Sequence, residues 1–185
     1  MQAFIKNILK KDVSQSEKLR SLGENKILHP LAVFLAHSGD SWYWLALLFL
    51  IWIFSRSIWH TYSAFLAASI LFQAVLVLAI KFIIKRSRPV GEWGAIYRNS
   101  DPHSFPSGHA TRAAMLAVLF WGLHLTPLAI ILTVWVFLVS FARVILGVHY
   151  LSDVIAGWAL GIVLGFCMLW LQPSLYQIFP WVFFR

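Results

Sequence analysis

Apolar residues run along this chain in long blocks, and the polar residues that separate them gather at the block ends. Five blocks approach the roughly 20 apolar residues that a helix needs to cross a bilayer: residues 41–56, 60–84, 107–124, 127–146 and 149–171. Gly122 to Pro127 breaks the third from the fourth, and Gly147 the fourth from the fifth. A shorter apolar segment, 27–37, is interrupted by Pro30. It is too short to cross about 30 Å of hydrocarbon comfortably, so whether it spans or lies in the interface stays open. Ahead of it, Phe4, Ile5, Ile8 and Leu9 share a face with Lys6, Lys10 and Lys11 off it, which predicts an amphipathic surface helix over 3–22. Ser14-x-x-Glu17 has the form of a capping box, and Gly23 reads as the stop. The expected fold is all-α, a polytopic bundle of five to six transmembrane helices plus the amphipathic N-terminal helix. It forms one domain: an interfacial helix over 1–25, a membrane core over 26–172 and an aromatic, proline-containing interfacial tail over 173–185.

Composition agrees. The chain is 60% hydrophobic and 12% charged, against about 25% charged for a soluble domain. Its single cysteine, Cys167, excludes a disulfide and a cysteine metal site, and reads as a small buried hydrophobe. MQAFIKNILKK lacks the long apolar core and cleavage site of a secretory leader. Most of the ten tryptophans read as interface-belt residues. The net charge of +8 calls for an anionic partner, either lipid headgroups or an anionic substrate. Nothing in the pattern suggests nucleic acid or an obligatory protein partner.

Span parity decides where the cations and histidines meet. The second span ends at Lys81 to Arg88, the third starts from FPSGH on that same side, the third crosses away and the fourth returns carrying ARVILGVHYLSD. Three polar clusters distant in sequence therefore converge on one membrane face. Ionisable residues beside membrane spans are expensive and are functional candidates by default. Lys81, Arg88 and Arg143 supply cations, with arginine forks suited to tetrahedral oxyanions. Ser107 and Gly108 supply a hydroxyl and an unshielded backbone at a helix N-terminus. His149 and His109 supply a nucleophile and a proton donor, and Asp153, four residues after His149, shares its helical face and can hold its tautomer. These are the parts of a metal-free phosphoryl transfer. His149 attacks phosphorus, and His109 protonates the leaving oxygen and then activates water. No cofactor is called for, and three nearby cations oppose a metal at His109, His149 and Asp153.

The ordered set K-x6-RP, PSGH and R-x5-H-x3-D, over residues 81–153, resembles the signature of the type-2 phosphatidic acid phosphatases, also called lipid phosphate phosphatases. That resemblance implies six helices and no metal. His149 becomes the nucleophile, His109 the acid/base, and Lys81, Arg88, Ser107, Gly108 and Arg143 the phosphate grip. Among small bacterial members it leans towards a lipid A 1-phosphatase-like enzyme, with phosphatidylglycerophosphate, undecaprenyl pyrophosphate and phosphatidic acid as further candidate lipids. It implies a bacterial inner membrane and a site facing the periplasm or exterior. The family's block usually opens Ser-Arg; Ala142 stands here instead, which predicts weaker or retuned phosphate binding. Two alternatives are a vanadate-dependent haloperoxidase, which the spans oppose, and a non-enzymatic lipid-binding or transport protein, which the intact histidine set opposes.

Outside the motif, Lys85, Arg86 and Arg112 read as snorkelling anchors. His29, His37, His60, His103 and His124 read as interfacial filler. The loop residues Trp93, Tyr97, Arg98 and His103 are candidates for headgroup contact. Orientation hangs on 27–37. If it spans, the N-terminal lysines lie opposite the site and the positive-inside rule favours an external site; if it lies in the interface, the rule points the other way.

Overall fold

The apolar blocks become helices in the computed structural model, which describes residues 2–90 and 101–184. Helix α1 (Gln2–Arg20) passes through a 3-10 turn (Ser21–Glu24) into α2 (Leu28–Ser38), α3 (Ser41–Phe54) and α4 (Ile58–Ile84). Then come α5 (Gly108–Gly122), α6 (Thr126–Ile145), α7 (Leu151–Ile178) and a short α8 (Pro180–Phe183). Among the described residues the only β-type pairing is an isolated bridge between Ser87 and His103. The chain is an all-α membrane protein. Helices α4, α6 and α7 are each long and apolar enough to cross a bilayer alone, with mean hydropathy of 2.4, 2.4 and 2.2. Phe65, Leu66 and Ile70 of α4 pack with Met115, Leu116 and Leu119 of α5 at the centre. Outward residues are apolar as well, as lipid contact requires; Val75, Val163 and Trp170 are all exposed.

Helices α5 and α7 pack closely and in parallel along a glycine stripe. A Cβ at Gly161 would collide with the Thr111 carbonyl oxygen, and one at Gly157 would stand 2.9 Å from that of Ser107. Small residues at four-residue spacing let two backbones approach in a membrane. The approach brings the start of α5 against the start of α7, where the Ser107 N–H donates to the Asp153 carbonyl at 3.0 Å.

Helix α2 does not cross the membrane. It starts just after Gly23, where a Cβ would meet the Ile145 carbonyl oxygen at the end of α6, and it ends at Gly39, against Val139 and His109. Six residues of α6 are about 9 Å of depth. Ala32 and Ala36 line that descent against Ala142 and Leu146. Helix α3 then completes the crossing begun by α2, so α1 lies on the same face as His109. The branch that supported an external site by charge is therefore not the one the chain takes.

Four other expectations are corrected. Helix α1 runs uninterrupted through Ser14, which with Glu17 is exposed, so no capping box starts there. The side chains of Phe4, Ile5, Lys6 and Ile8 lie outside the described residues. No tail begins at 173, because α7 continues through Pro173 to Ile178. Beyond it the chain folds back: Trp52 Nε1 donates to the Val182 carbonyl at 2.9 Å, Thr61 Oγ1 to that of Phe183 at 2.6 Å, and Phe183 is buried. Cys167 is exposed on the outer face of α7, where surrounding lipid is as apolar as a core. His60 is buried rather than interfacial, stacked on Trp52 with Nδ1 2.6 Å from the Trp52 carbonyl.

Candidate active site

Four breaks between helices, α1/α2, α2/α3, α4/α5 and α6/α7, meet at one end of the bundle. Helix α6 ends with Arg143 buried in its last turn. Gly147, at φ +65, then turns the chain back so that His149 enters the interior just before α7; a Cβ there would press on the Arg20 side chain. From the end of α4 come Lys81 and Arg88, both buried. Ser107 caps α5, its Oγ accepting the Ala110 N–H at 3.4 Å, as the sequence leads one to expect. A Cβ on Gly108 would meet only Val77, at 3.6 Å, so packing does not demand this glycine, and its open side lines a cavity.

The structure brings all eight expected residues to this end. Arg88 Nη1 donates to the Val148 carbonyl at 2.9 Å and lies 3.4 Å from His149 Nε2. On the other side of the ring, Nδ1 is 3.6 Å from Asp153 Oδ2, beyond hydrogen-bond length but within ion-pair range. The ring is thus bracketed, Nε2 towards a guanidinium and Nδ1 towards a carboxylate. Burial drives the His149 imidazole down to about 3; Asp153 partly offsets this, while Arg88 and Arg143 push it further. The group is neutral at physiological pH, the form in which nitrogen can attack. Arg143 is within electrostatic range of His149, His109 and Lys81 alike.

Several participants had no expectation attached. His109 Nε2 pairs with Asp40 Oδ1 at 2.7 Å, and Asp40 Oδ2 pairs with His37 Nδ1 at 2.9 Å. Burial raises the Asp40 carboxyl, but hydrogen bonds from His109 and His37 outweigh it and hold the group at about 2. Asp101 binds both Lys81 Nζ and Arg88 Nη2, the latter at 2.8 Å. Lys81 also donates to the His103 carbonyl at 3.1 Å. Arg112 is no anchor. It is buried, donating from Nε to the Gly39 carbonyl at 3.0 Å and from Nη1 to Ser41 Oγ at 2.5 Å, which fixes the segment carrying Asp40. Arg86 is no anchor either, since it joins Asp12 to Asp153 at 2.7 and 2.6 Å. Ala142 turns towards α2, packed with Ala32 and Ala36. Trp93, Tyr97 and Arg98 lie outside the described residues.

A cavity of about 240 Å³ opens beside His109, lined by Lys81, Asp101, Gly108 and Arg112 on its polar side and by Trp42, Val77 and Leu78 on its apolar side. Fold and site together define an integral membrane protein with two histidines among buried cations at one bilayer face. The chain belongs to the PAP2 superfamily, whose profile matches residues 62–176. It is 30% identical over 160 residues to the undecaprenyl-diphosphatase of Sulfolobus acidocaldarius, covering 85% of this chain and 77% of that one. To the lipid A 1-phosphatase of Rhizobium johnstonii it is 33% identical over 110 residues, covering 54% of this chain and 43% of that protein. The crystal structure of a transmembrane PAP2-type phosphatidylglycerolphosphate phosphatase from Bacillus subtilis superposes with a TM-score of 0.73 at 26% identity, covering 91% of this chain and 87% of that one.

Proposed function

We propose that this chain is an integral membrane lipid phosphatase that works through a phosphohistidine at His149. The observation that carries the reading is the two-sided cavity: Lys81, Arg112 and His109, with the acids Asp40 and Asp101, on one wall, and lipid-facing Trp42 and Leu78 on the other, a shape that suits a phosphate on an apolar tail, while His149 lines a second cavity. The phosphate sits among Lys81, Arg88, Arg143 and the Ser107–Gly108 turn. His149 Nε2 forms a bond to phosphorus as the bond to the lipid oxygen breaks, and His109 gives its proton to that oxygen. Water then attacks phosphorus, His109 takes its proton, the N–P bond breaks and inorganic phosphate leaves. Buried cations stabilise charge on the transferring group, the role a metal plays in other phosphatases, and the reading is metal-independent.

Undecaprenyl diphosphate becomes the first substrate to test, ahead of the lipid A 1-phosphate favoured by motif resemblance, because the similarity to the first relative extends over more of the chain. The proposed location remains the inner membrane of a bacterium. Phosphate release is to be measured in detergent micelles from undecaprenyl diphosphate, phosphatidylglycerophosphate, lipid A and phosphatidic acid. His149→Ala abolishes release, vanadate inhibits and EDTA has no effect; near-normal turnover by His149→Ala, or strict metal dependence, overturns the mechanism.

A further inference from the structure

Arg86 fills an unspecified position of the K-x6-RP block, yet it holds the carboxylate behind the proposed nucleophile. Its Nη1 donates to Asp153 Oδ1 at 2.6 Å and to Ser152 Oγ at 2.7 Å. The other oxygen of Asp153 accepts the Tyr150 N–H at 2.9 Å and is the one that faces His149. Rotation of this carboxylate about its own axis would exchange the oxygens, and the Arg86 bond on Oδ1 resists that. Asp153 is fully buried, and a buried carboxylate needs a cation close by. Arg86 answers that need from the partly exposed side, where an isolated arginine would be mobile.

What fixes Arg86 comes from α1. Asp12 Oδ2 accepts from Nη2 at 2.7 Å, and the guanidinium carbon lies over the Tyr150 ring, 4.2 Å from its centroid. The same aspartate accepts the Ser152 N–H at 2.9 Å through Oδ1. One turn on, Ser16 Oγ accepts the Leu151 N–H at 2.9 Å. Two of the N–H groups that any helix start leaves without an intrahelical acceptor are thus capped by another helix. Asp12 and Ser16, four residues apart, present one face of α1 to the first turn of α7, the turn that carries Asp153.

We propose that Arg86 and Asp12 are positioning residues for His149, and that the seating of α1 is read at the nucleophile through Asp12, Arg86 and Asp153 in turn. The proposal rests on His149 being the nucleophile. It makes the N-terminal helix part of the catalytic apparatus instead of a membrane anchor alone.

The test uses the purified full chain in detergent micelles, with dioctanoyl phosphatidic acid as the probe, and reads kcat and KM separately. Arg86→Ala lowers kcat about tenfold or more with KM little changed. Arg86→Lys recovers part of the loss, because an ammonium reaches Asp153 without bridging both acids. Asp12→Asn, nearly isosteric, lowers kcat less, and it costs nothing further in the Arg86→Ala background, since the two act along one chain. Thermal midpoints confirm that each variant is folded; if Arg86→Ala is not, Asp12→Asn and Arg86→Lys decide. Wild-type kcat in Asp12→Asn and in the folded Arg86 variants, losses that appear only in KM, or losses that add in the double variant overturn the proposal. A wild-type chain that releases no phosphate from any lipid overturns the phosphatase reading instead.

Discussion

Asp40 Oδ1 lies 2.7 Å from His109 Nε2, so each histidine of the site has its own carboxylate, Asp40 for His109 and Asp153 for His149. The two pairs differ in design. Asp153 sits four residues from its histidine on the chain, whereas Asp40 reaches His109 across the break between α2 and α3. Asp40 holds the N-cap position of α3 but makes no capping bond; its oxygens go to His109 and His37. A carboxylate on Nε2 keeps a proton on that nitrogen and leaves Nδ1 as the nitrogen free to exchange a proton with a reacting oxygen.

Asp40→Asn is therefore expected to slow the step in which the leaving oxygen takes a proton. The loss should reach about tenfold or more on a lipid phosphomonoester, whose alkoxide is a poor leaving group. It should be much smaller on p-nitrophenyl phosphate, whose phenolate leaves without help. Turnover of both substrates by wild type and variant gives the comparison; an equal loss on the two would assign Asp40 to packing alone.

Acid sensitivity follows from His149. The ordinary imidazole value is 6.5 and the folded one about 3. Between them the unfolded chain binds a proton that the folded chain refuses, so stability is full above the upper value and is lost as pH falls through the window. Asp40 contributes similarly only between 3.8 and about 2, below the range of the comparison. From pH 7 to 4.5 the wild-type thermal midpoint should fall further than that of His149→Gln, by about 3 °C or more. Parallel curves would mean that burial does not hold this ring neutral.

The spans and the convergence of Lys81, Arg88, Ser107, Gly108, His109, Arg143, His149 and Asp153 were legible because hydropathy fixes the crossings and parity fixes the faces. Asp12, Asp40, Arg86, Asp101 and Arg112 were not. Asp40, Arg86 and Arg112 are single charges near a helix end, where a cap, an anchor and a site residue look alike in sequence; Asp12 lies within α1 and Asp101 in the loop before α5, and the site partners of all five lie well away along the chain. Asp40 did carry one usable signal, an acid at the very edge of the apolar run SWYWLALL with a histidine three residues before it. The depth reached by α2 had no such signal, since its eleven residues fit an interfacial helix and a partial crossing equally well.

Ala142 yields a prediction opposite to the one its motif position suggests. It packs in an apolar cluster with Ala32, Ala36, Leu146 and Val148. Ala142→Ser, which restores the family residue, should leave KM and vanadate inhibition within about twofold of wild type. A hydroxyl set in that apolar cluster should lower the thermal midpoint unless it bonds back to its own helix. Markedly tighter vanadate inhibition would restore the phosphate-contact role.

Topology gives the last prediction. Because α2 descends from and ends beside the catalytic end of the bundle, Lys18 on α1 and Lys85 after α4 share one face, while Arg56, between α3 and α4, is on the other. All three side chains are exposed. In a Cys167→Ala background, Lys18→Cys and Lys85→Cys should react with a membrane-impermeant maleimide from the same side, and Arg56→Cys from the opposite side. Reaction of Lys18→Cys and Lys85→Cys from different sides would mean that α2 and α3 each cross. The same experiment sets charge against resemblance. Lys6, Lys10, Lys11, Lys18, Arg20 and Lys26 all precede the first crossing, and the positive-inside rule puts so basic a segment in the cytoplasm. The expected result in intact cells is protection of Lys18→Cys and Lys85→Cys until the membrane is opened. Labelling from outside would show that the site faces the exterior, as resemblance to bacterial relatives implies, against the charge of its own N-terminus.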